Sequence, residues 1–169
     1  MGVGRLLRHA VATHWRTRLL FTRATLDLIE AAILRAERSH FGQIRFAIET
    51  ALTPMQLLRG MSGRDRAVEV FSALRVWDTE RNNGVLVYLL RADRDVEIIA
   101  DRGFRDRVSP AEWEAVCRLM ESHYREGRFR EGSVAGVEAI GMLLSRHFPK
   151  AHGEAHRADD KMPDRPTLL

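Results

Sequence analysis

Asn82-Asn83-Gly84-Val85-Leu86-Val87-Tyr88-Leu89-Leu90 runs from a turn directly into an unbroken apolar segment. Successive strand side chains point to opposite faces, so a strand that is apolar at every position has to be covered on both. The stretch therefore reads as a central strand with helices above and below. The fold class that follows is α/β: a three-layer sandwich with a small mixed β-sheet, a βαβ unit plus a hairpin, flanked by helices.

The flanking sequence fits that frame on both sides. Upstream, Ser62 and Asp65 form a capping box that opens a helix through Arg75, with Ala67, Val70, Phe71 and Leu74 on its buried face. Before it come a loop with Pro54, a short helical piece around Gln56 to Arg59, and the alternating segment Gln43 to Glu49. There Ile44, Phe46 and Ile48 share one face, the period-2 pattern of a first strand. Strand, helix, strand predicts a right-handed crossover and hence parallel pairing. Downstream, Ala92-Asp93-Arg94 turns the chain into Val96 to Ala100, an antiparallel hairpin partner. Ser109-Pro110-Ala111-Glu112 then starts a helix that ends near Arg125. Gly127 and Gly132 predict a loop, and Ser133 to His147 a last helix stopped by Pro149.

Three segments result: a basic amphipathic helix in residues 1–21, an α/β domain over 22–149, and a disordered tail over 150–169. The domain opens with a helix from about Thr25 to Arg38. Its stripe is Leu26, Ile29, Ile33 and Ala36, and Thr22 or Thr25 caps it. A chain of 169 residues, 45% hydrophobic, suits one domain with one core. No window approaches the roughly 18 apolar residues of a membrane span, and the N-terminus has no signal-peptide core, so a cytoplasmic protein is expected. The single cysteine, Cys117, shares its helix face with Trp113, Val116 and Met120 and reads as a core residue.

The net charge of +4 is localised. Arg5, Arg8, Arg16, Arg18 and Arg23 precede the first acid, Asp27, which leaves 22 basic against 23 acidic residues in the remainder. The folded body is nearly neutral and lacks interleaved aromatic and basic residues, so no nucleic-acid partner is expected. The basic helix has two readings: packing on the domain or a partner, or attachment to an anionic membrane surface.

The strand directions gather polar residues at one end of the sheet: His40 before the first strand, Asp78, Glu80, Asn82 and Asn83 before the central one, and Asp101 and Arg102 after the third. Carboxylate and amide oxygens at Asp78, Asn82, Asn83 and Asp101 are hard ligands suited to Mg²⁺ or Ca²⁺. Arg102 could hold an anion and His40 move a proton. Each residue also has a local reading. The two asparagines can simply make a turn, Asp78 and Glu80 can be solvated, Asp101 and Arg102 can pair, and His40 can close a helix C-terminus. The opposite end offers Glu49, Asp93 and Asp95, which form no comparable set. Other patterns fail. Asp93-Arg94-Asp95 is neither a dehalogenase-type nucleophile motif nor a calcium loop, Gly127 to Ser133 lacks a phosphate-loop lysine, and His152, Glu154 and His156 stand in the wrong order for a zinc protease.

With these elements in place, three segments together resemble the TPM domain family. They are Val76-Trp77-Asp78-Thr79-Glu80-Arg81-Asn82-Asn83-Gly84-Val85-Leu86-Val87, Ala100-Asp101-Arg102-Gly103-Phe104, and Tyr124-Arg125-Glu126-Gly127-Arg128-Phe129 through Gly132, Gly136 and Ile140. The chain resembles the short soluble bacterial members, which look like companions of LemA-type membrane proteins. The resemblance implies an α/β sandwich, divalent-metal binding in some members and an acid-phosphatase activity in plant thylakoid relatives. Other members resemble non-enzymatic accessory proteins. Many relatives close the third strand with Gly-Tyr-Gly-Leu-Glu, whereas this chain has Asp101-Arg102-Gly103-Phe104-Arg105. Two functions are therefore expected. The first is a non-catalytic accessory module supporting a membrane- or envelope-associated process, peripheral at the inner membrane through residues 1–21 or a membrane-protein partner. The alternative is a metal-dependent phosphatase acting on small phosphomonoesters, with Asp78, Asp101, Arg102 and His40 as its catalytic residues.

Overall fold

The computed structural model describes residues 3–150 and 161–169. The central strand, β2 (Gly84–Leu90), is buried at every position. It pairs in parallel with β1 (Gln43–Glu49), from Gln43 opposite Gly84 to Glu49 opposite Leu90, and antiparallel with β3 (Asp95–Ala100), from Val85 opposite Ala100 to Leu90 opposite Asp95. A short β4 (Thr167–Leu168) adds to β1 in parallel, giving the order β3-β2-β1-β4.

Alternation along β2 divides the core. Val85, Val87 and Leu89 pack with Ile29 and Ile33 of α3 (Arg23–Ala36), Met120 of α6 (Pro110–Arg125) and Ile140 of α7 (Phe129–His147). Leu86, Tyr88 and Leu90 face Leu57 of α4 (Pro54–Leu58) and Ala67 and Val70 of α5 (Gly63–Ala73). Helices cover both faces, as an all-apolar strand requires, and each such side chain contributes on the order of 1.5–3 kcal/mol through burial. Capping boxes at Thr53/Gln56, Ser62/Asp65 and Ser109/Glu112 start α4, α5 and α6. Gly84 cannot be replaced without movement, because a Cβ there would stand 1.9 Å from the Val76 carbonyl oxygen.

Three expectations are corrected. The single N-terminal helix is two: α1 (Val3–Val11) and α2 (His14–Leu20). Thr13 interrupts it in an extended conformation and accepts the Arg16 N–H on its hydroxyl at 3.4 Å. A threonine that bonds the backbone in this way favours a helix start over a helix interior. The last helix begins at Phe129 and not at Ser133, with Gly132 inside it. A Cβ at Gly132 would come within 2.7 Å of His123 and 2.8 Å of Tyr124 on α6, so this glycine allows close helix packing and does not mark a loop. The tail is ordered where it is described. Met162 N–H donates to Gln43 Oε1 at 2.8 Å, Arg45 donates to the carbonyls of Pro163 and Arg165, Leu169 N–H donates to Ile48 O at 2.9 Å, and Arg165 pairs with Asp27 and Glu30. Aperiodic composition hid these anchors, because each depends on a residue far away in the chain.

Cys117 is half-buried, and burial pushes its thiol up to about 12, so the thiolate is disfavoured at neutral pH. The His152, Glu154 and His156 pattern lies outside the described residues. No described helix is long and apolar enough to cross a membrane.

Candidate functional site

At the end where β2 begins, Asn82 adopts a left-handed conformation, φ 51°, that asparagine tolerates better than most residues. Its carbonyl accepts the Gly103 N–H at 3.0 Å, and a Cβ on Gly103 would stand 2.5 Å from that oxygen. Its side-chain Oδ1 accepts from Arg102 Nε at 2.8 Å. Asn83 is buried: its N–H donates to Thr79 Oγ1 at 3.0 Å, and its amide nitrogen donates to the Phe41 carbonyl. Asp101 accepts the Arg102 N–H on Oδ1 at 2.7 Å and so caps the 3-10 turn Arg102–Phe104. Arg81 stacks on Phe41, 4.0 Å from the ring centroid.

The strand ends thus bring together Asn82, Asn83, Asp101 and Arg102, and two buried oxygens there, Asn83 Oδ1 and Asp101 Oδ2, have no hydrogen-bond partner among the described residues. Asp78 lies exposed and makes no hydrogen bond or ion pair with the other four among the described residues. His40 is fully buried with its ring toward α7, Nε2 3.9 Å from the position a Cβ of Gly141 would take. Glu37, which the sequence reading passed over, is buried at the start of β1, where its Oε1 accepts the Ile44 N–H at 2.8 Å. Burial pushes its carboxyl up to about 7 despite that bond. Nothing in the local pattern flagged it, since it continues a helix end in an ordinary way.

Hard divalent cations take six or more oxygen ligands. One carboxylate oxygen and one amide oxygen are available here, the Asn82 oxygen is held by a guanidinium, and no group of three His, Cys, Asp or Glu side chains converges among the described residues. Water or substrate would have to supply the remainder of such a cation's shell.

The opposite end is more densely charged than its sequence suggested. Asp93, in the β2–β3 turn, accepts from Arg5 Nε at 2.8 Å and Arg8 Nη2 at 3.0 Å, with His9 Nε2 at 3.1 Å. His9 Nδ1 accepts the Leu52 N–H at 2.9 Å, so the proton of the neutral ring is on Nε2, facing Asp93. Burial opposes ionisation of Asp93, yet the bonds from Arg5, Arg8 and His9 hold its carboxyl below the usual range. Beside it, Glu49 accepts from Arg66 at 2.9 Å and from the Tyr88 hydroxyl at 2.6 Å. Thr17 of α2 bonds Thr50 at 2.9 Å. Burial among Glu97, Glu121 and Asp93 pushes Asp95 up to about 6. These contacts fasten α1 and α2 to the sheet. On those helices Leu7, Val11, Trp15 and Leu19 remain 61%, 66%, 69% and 55% exposed. The sequence carried half of this signal, the basic amphipathic pattern, but not the acid that receives it.

The chain is similar to the BA42 protein of the psychrophilic bacterium Bizionia argentinensis, with TM-score 0.72 and 29% identity over 88% of this chain and 94% of that one. It also shares its fold with the N-terminal domain of a P. gingivalis protein, TM-score 0.60 at 20% identity over 79% of this chain and 83% of that one. A third likeness is to the N-terminal domain of the Corynebacterium glutamicum protein cg2496, TM-score 0.56 at 15% identity over 80% and 84% of the two chains. No significant match is found among curated proteins. The family described as the TPM domain matches residues 17–143, three quarters of the chain. By that match the chain belongs to the TPM domain family.

Proposed function

We propose that this protein is a non-catalytic accessory module of the TPM family that docks at a membrane- or envelope-associated partner through its N-terminal helices. One observation carries the reading: Leu7, Val11, Trp15 and Leu19 stay exposed on helices that are themselves anchored to the sheet through Asp93 and Thr50. Scattered exposed apolar residues need no explanation, but a row one helical turn apart on each of two basic helices supports an interaction surface. The direct test is flotation of the full chain with vesicles of bacterial polar lipid. The expected result is co-flotation that the Trp15→Ser/Leu19→Ser variant loses; equal flotation of both proteins removes the helices from the function.

A second reading, a divalent-cation-dependent phosphatase acting on phosphomonoesters, is favoured by the unpartnered buried oxygens of Asp101 and Asn83. Mg²⁺ or Ca²⁺ would be held there, and Arg102 would attract the phosphate. Hydrolysis of an aryl phosphate with and without Mg²⁺, in wild type and Asp101→Ala, decides it. Metal-dependent turnover that the variant loses would replace the accessory reading with an enzymatic one.

A further inference from the structure

Between α2, the β2–β3 turn and the C-terminal end of α6 lies an open cavity of about 900 Å³. Arg16, Arg91 and Arg94 line it together with Val11, Leu19 and Phe129. None of the three arginines has a carboxylate partner among the described residues. Among the described residues Arg94 Nη1 reaches only the Arg125 carbonyl, at 3.4 Å, and the buried Arg91 Nε has no partner. Burial first, and then the charges of Arg16 and Arg94, lower the pKa of Arg91, so the guanidiniums are close enough to repel.

Asp93 and Glu121, acids that line this cavity, are paired, in part with Arg8 and Arg125, which line it as well. Asp93 is taken by Arg5, Arg8 and His9, and Glu121 by Arg125 at 2.8 Å. Asp95 directs Oδ2 at Gly63 of α5, 2.0 Å from where a Cβ would stand. The turn thus spends its acid on α1 and leaves its two arginines uncompensated beside α2.

We propose that this cavity binds the phosphate of an anionic phospholipid headgroup, with Arg16, Arg91 and Arg94 as the recognising cations and the exposed side chains of α1 and α2 seated in the lipid interface. The proposal rests on the docking reading above and names its ligand. Charge complementarity selects an anion, and planar guanidinium forks suit phosphate oxygens. The apolar rim selects a lipid over a free phosphate ester: Val11 and Leu19 line the cavity, and Leu7 and Trp15 stand one turn before them on the same helices.

The test is vesicle co-sedimentation of the full chain. One set of vesicles is phosphatidylcholine alone and the other contains phosphatidylglycerol in equal part. Wild type should bind the mixed vesicles and not the neutral ones. Arg91→Gln and Arg94→Gln should each lower the partition coefficient about fivefold, the factor expected for one lost cation near an anionic surface. Arg38→Gln, an exposed arginine at the other end of the sheet, should leave it unchanged. Equal losses from all three variants would overturn the site while leaving membrane docking in place. Binding of both vesicle types would overturn the headgroup assignment, and binding of neither would remove the membrane from both proposals. Soluble glycerol phosphate should compete poorly. Competition as strong as that of the vesicles, undiminished in Trp15→Ser/Leu19→Ser, would assign the cavity to a free phosphate ester.

Discussion

Where β2 begins, turn and cap bonds to backbone close by shape the chain; where it stops, the polar side chains serve residues far off in the chain. Asp101 caps its neighbour and Thr79 bonds Asn83 four residues on, whereas Asn83 reaches Phe41, Arg102 reaches Asn82 across 20 residues and Gln43 meets Met162 across 119. At the other end, Arg5 meets Asp93 across 88 residues, His9 meets Leu52 across 43, and Tyr88 meets Glu49 across 39. The first end is built by turn chemistry and holds a conformation. The second is built by tertiary docking and holds the terminal helices. A recognisable motif therefore reports how the chain bends, while the exposed surface of interest lies at the end without a motif.

The severest challenge to this contrast is Gly84→Ala. The added Cβ meets a backbone oxygen at 1.9 Å, so the entry to β2 has to shift, at a cost of about 3 kcal/mol or more in urea denaturation. A cost under about 1 kcal/mol would show that this end is pliable. Asp93→Asn addresses the other end. It should cost about 2 kcal/mol and raise amide exchange selectively over residues 3–11 and at Leu52, because three cationic or polar partners lose one carboxylate. Uniform loss across the protein would mean that α1 belongs to the cooperative core. Because this carboxyl is held low in the folded state, its contribution is present above its unfolded pKa and disappears as pH falls.

Glu37 has the opposite sign. Its folded pKa of about 7 lies above the ordinary 4.5, so the folded protein retains a proton that the unfolded chain releases. Stability should decline as pH rises between those values, by about 3 kcal/mol, and level off above them. Glu37→Gln should match wild type near the lower bound and melt higher above the upper one in scanning calorimetry. Identical melting profiles would place the titration elsewhere, with Asp95, raised to about 6, as the next group to replace. The smallest effect belongs to Asp101→Ala: about 1 kcal/mol, the worth of a helix cap, with no change in phosphatase background. A loss of metal-dependent hydrolysis would turn the first end from a conformational device into a catalytic one.

The legible parts of the fold share a property. β2, the alternation of Gln43 to Glu49, and the capping boxes at Ser62 and Ser109 are each decided within one element, by a period or a cap. The errors share one too. Thr13 breaks a continuous amphipathic pattern, Gly132 is a contact surface for Tyr124 on another helix, and Thr167 and Leu168 are strand only because β1 offers an edge. For the candidate site, strand direction places Asn82, Asn83, Asp101 and Arg102 at one end of the sheet, since that needs only topology. It could not foresee that His40 turns toward α7 or that Asp93 would recruit α1, because both depend on how separate elements pack.

The β4 pairing makes the order of synthesis matter. Arg45, on β1, bonds Thr167 across 122 residues, so during translation β1 is made long before the segment that covers its outer edge. Throughout that interval a parallel edge with free backbone groups faces solvent and neighbouring chains, the geometry from which edge-to-edge aggregation begins. Met162 to Leu169 thus acts as a late seal. Its arginine contacts with Asp27 and Glu30 fix where the seal lands, and hence its register, on a strand two residues of pairing could not position by themselves.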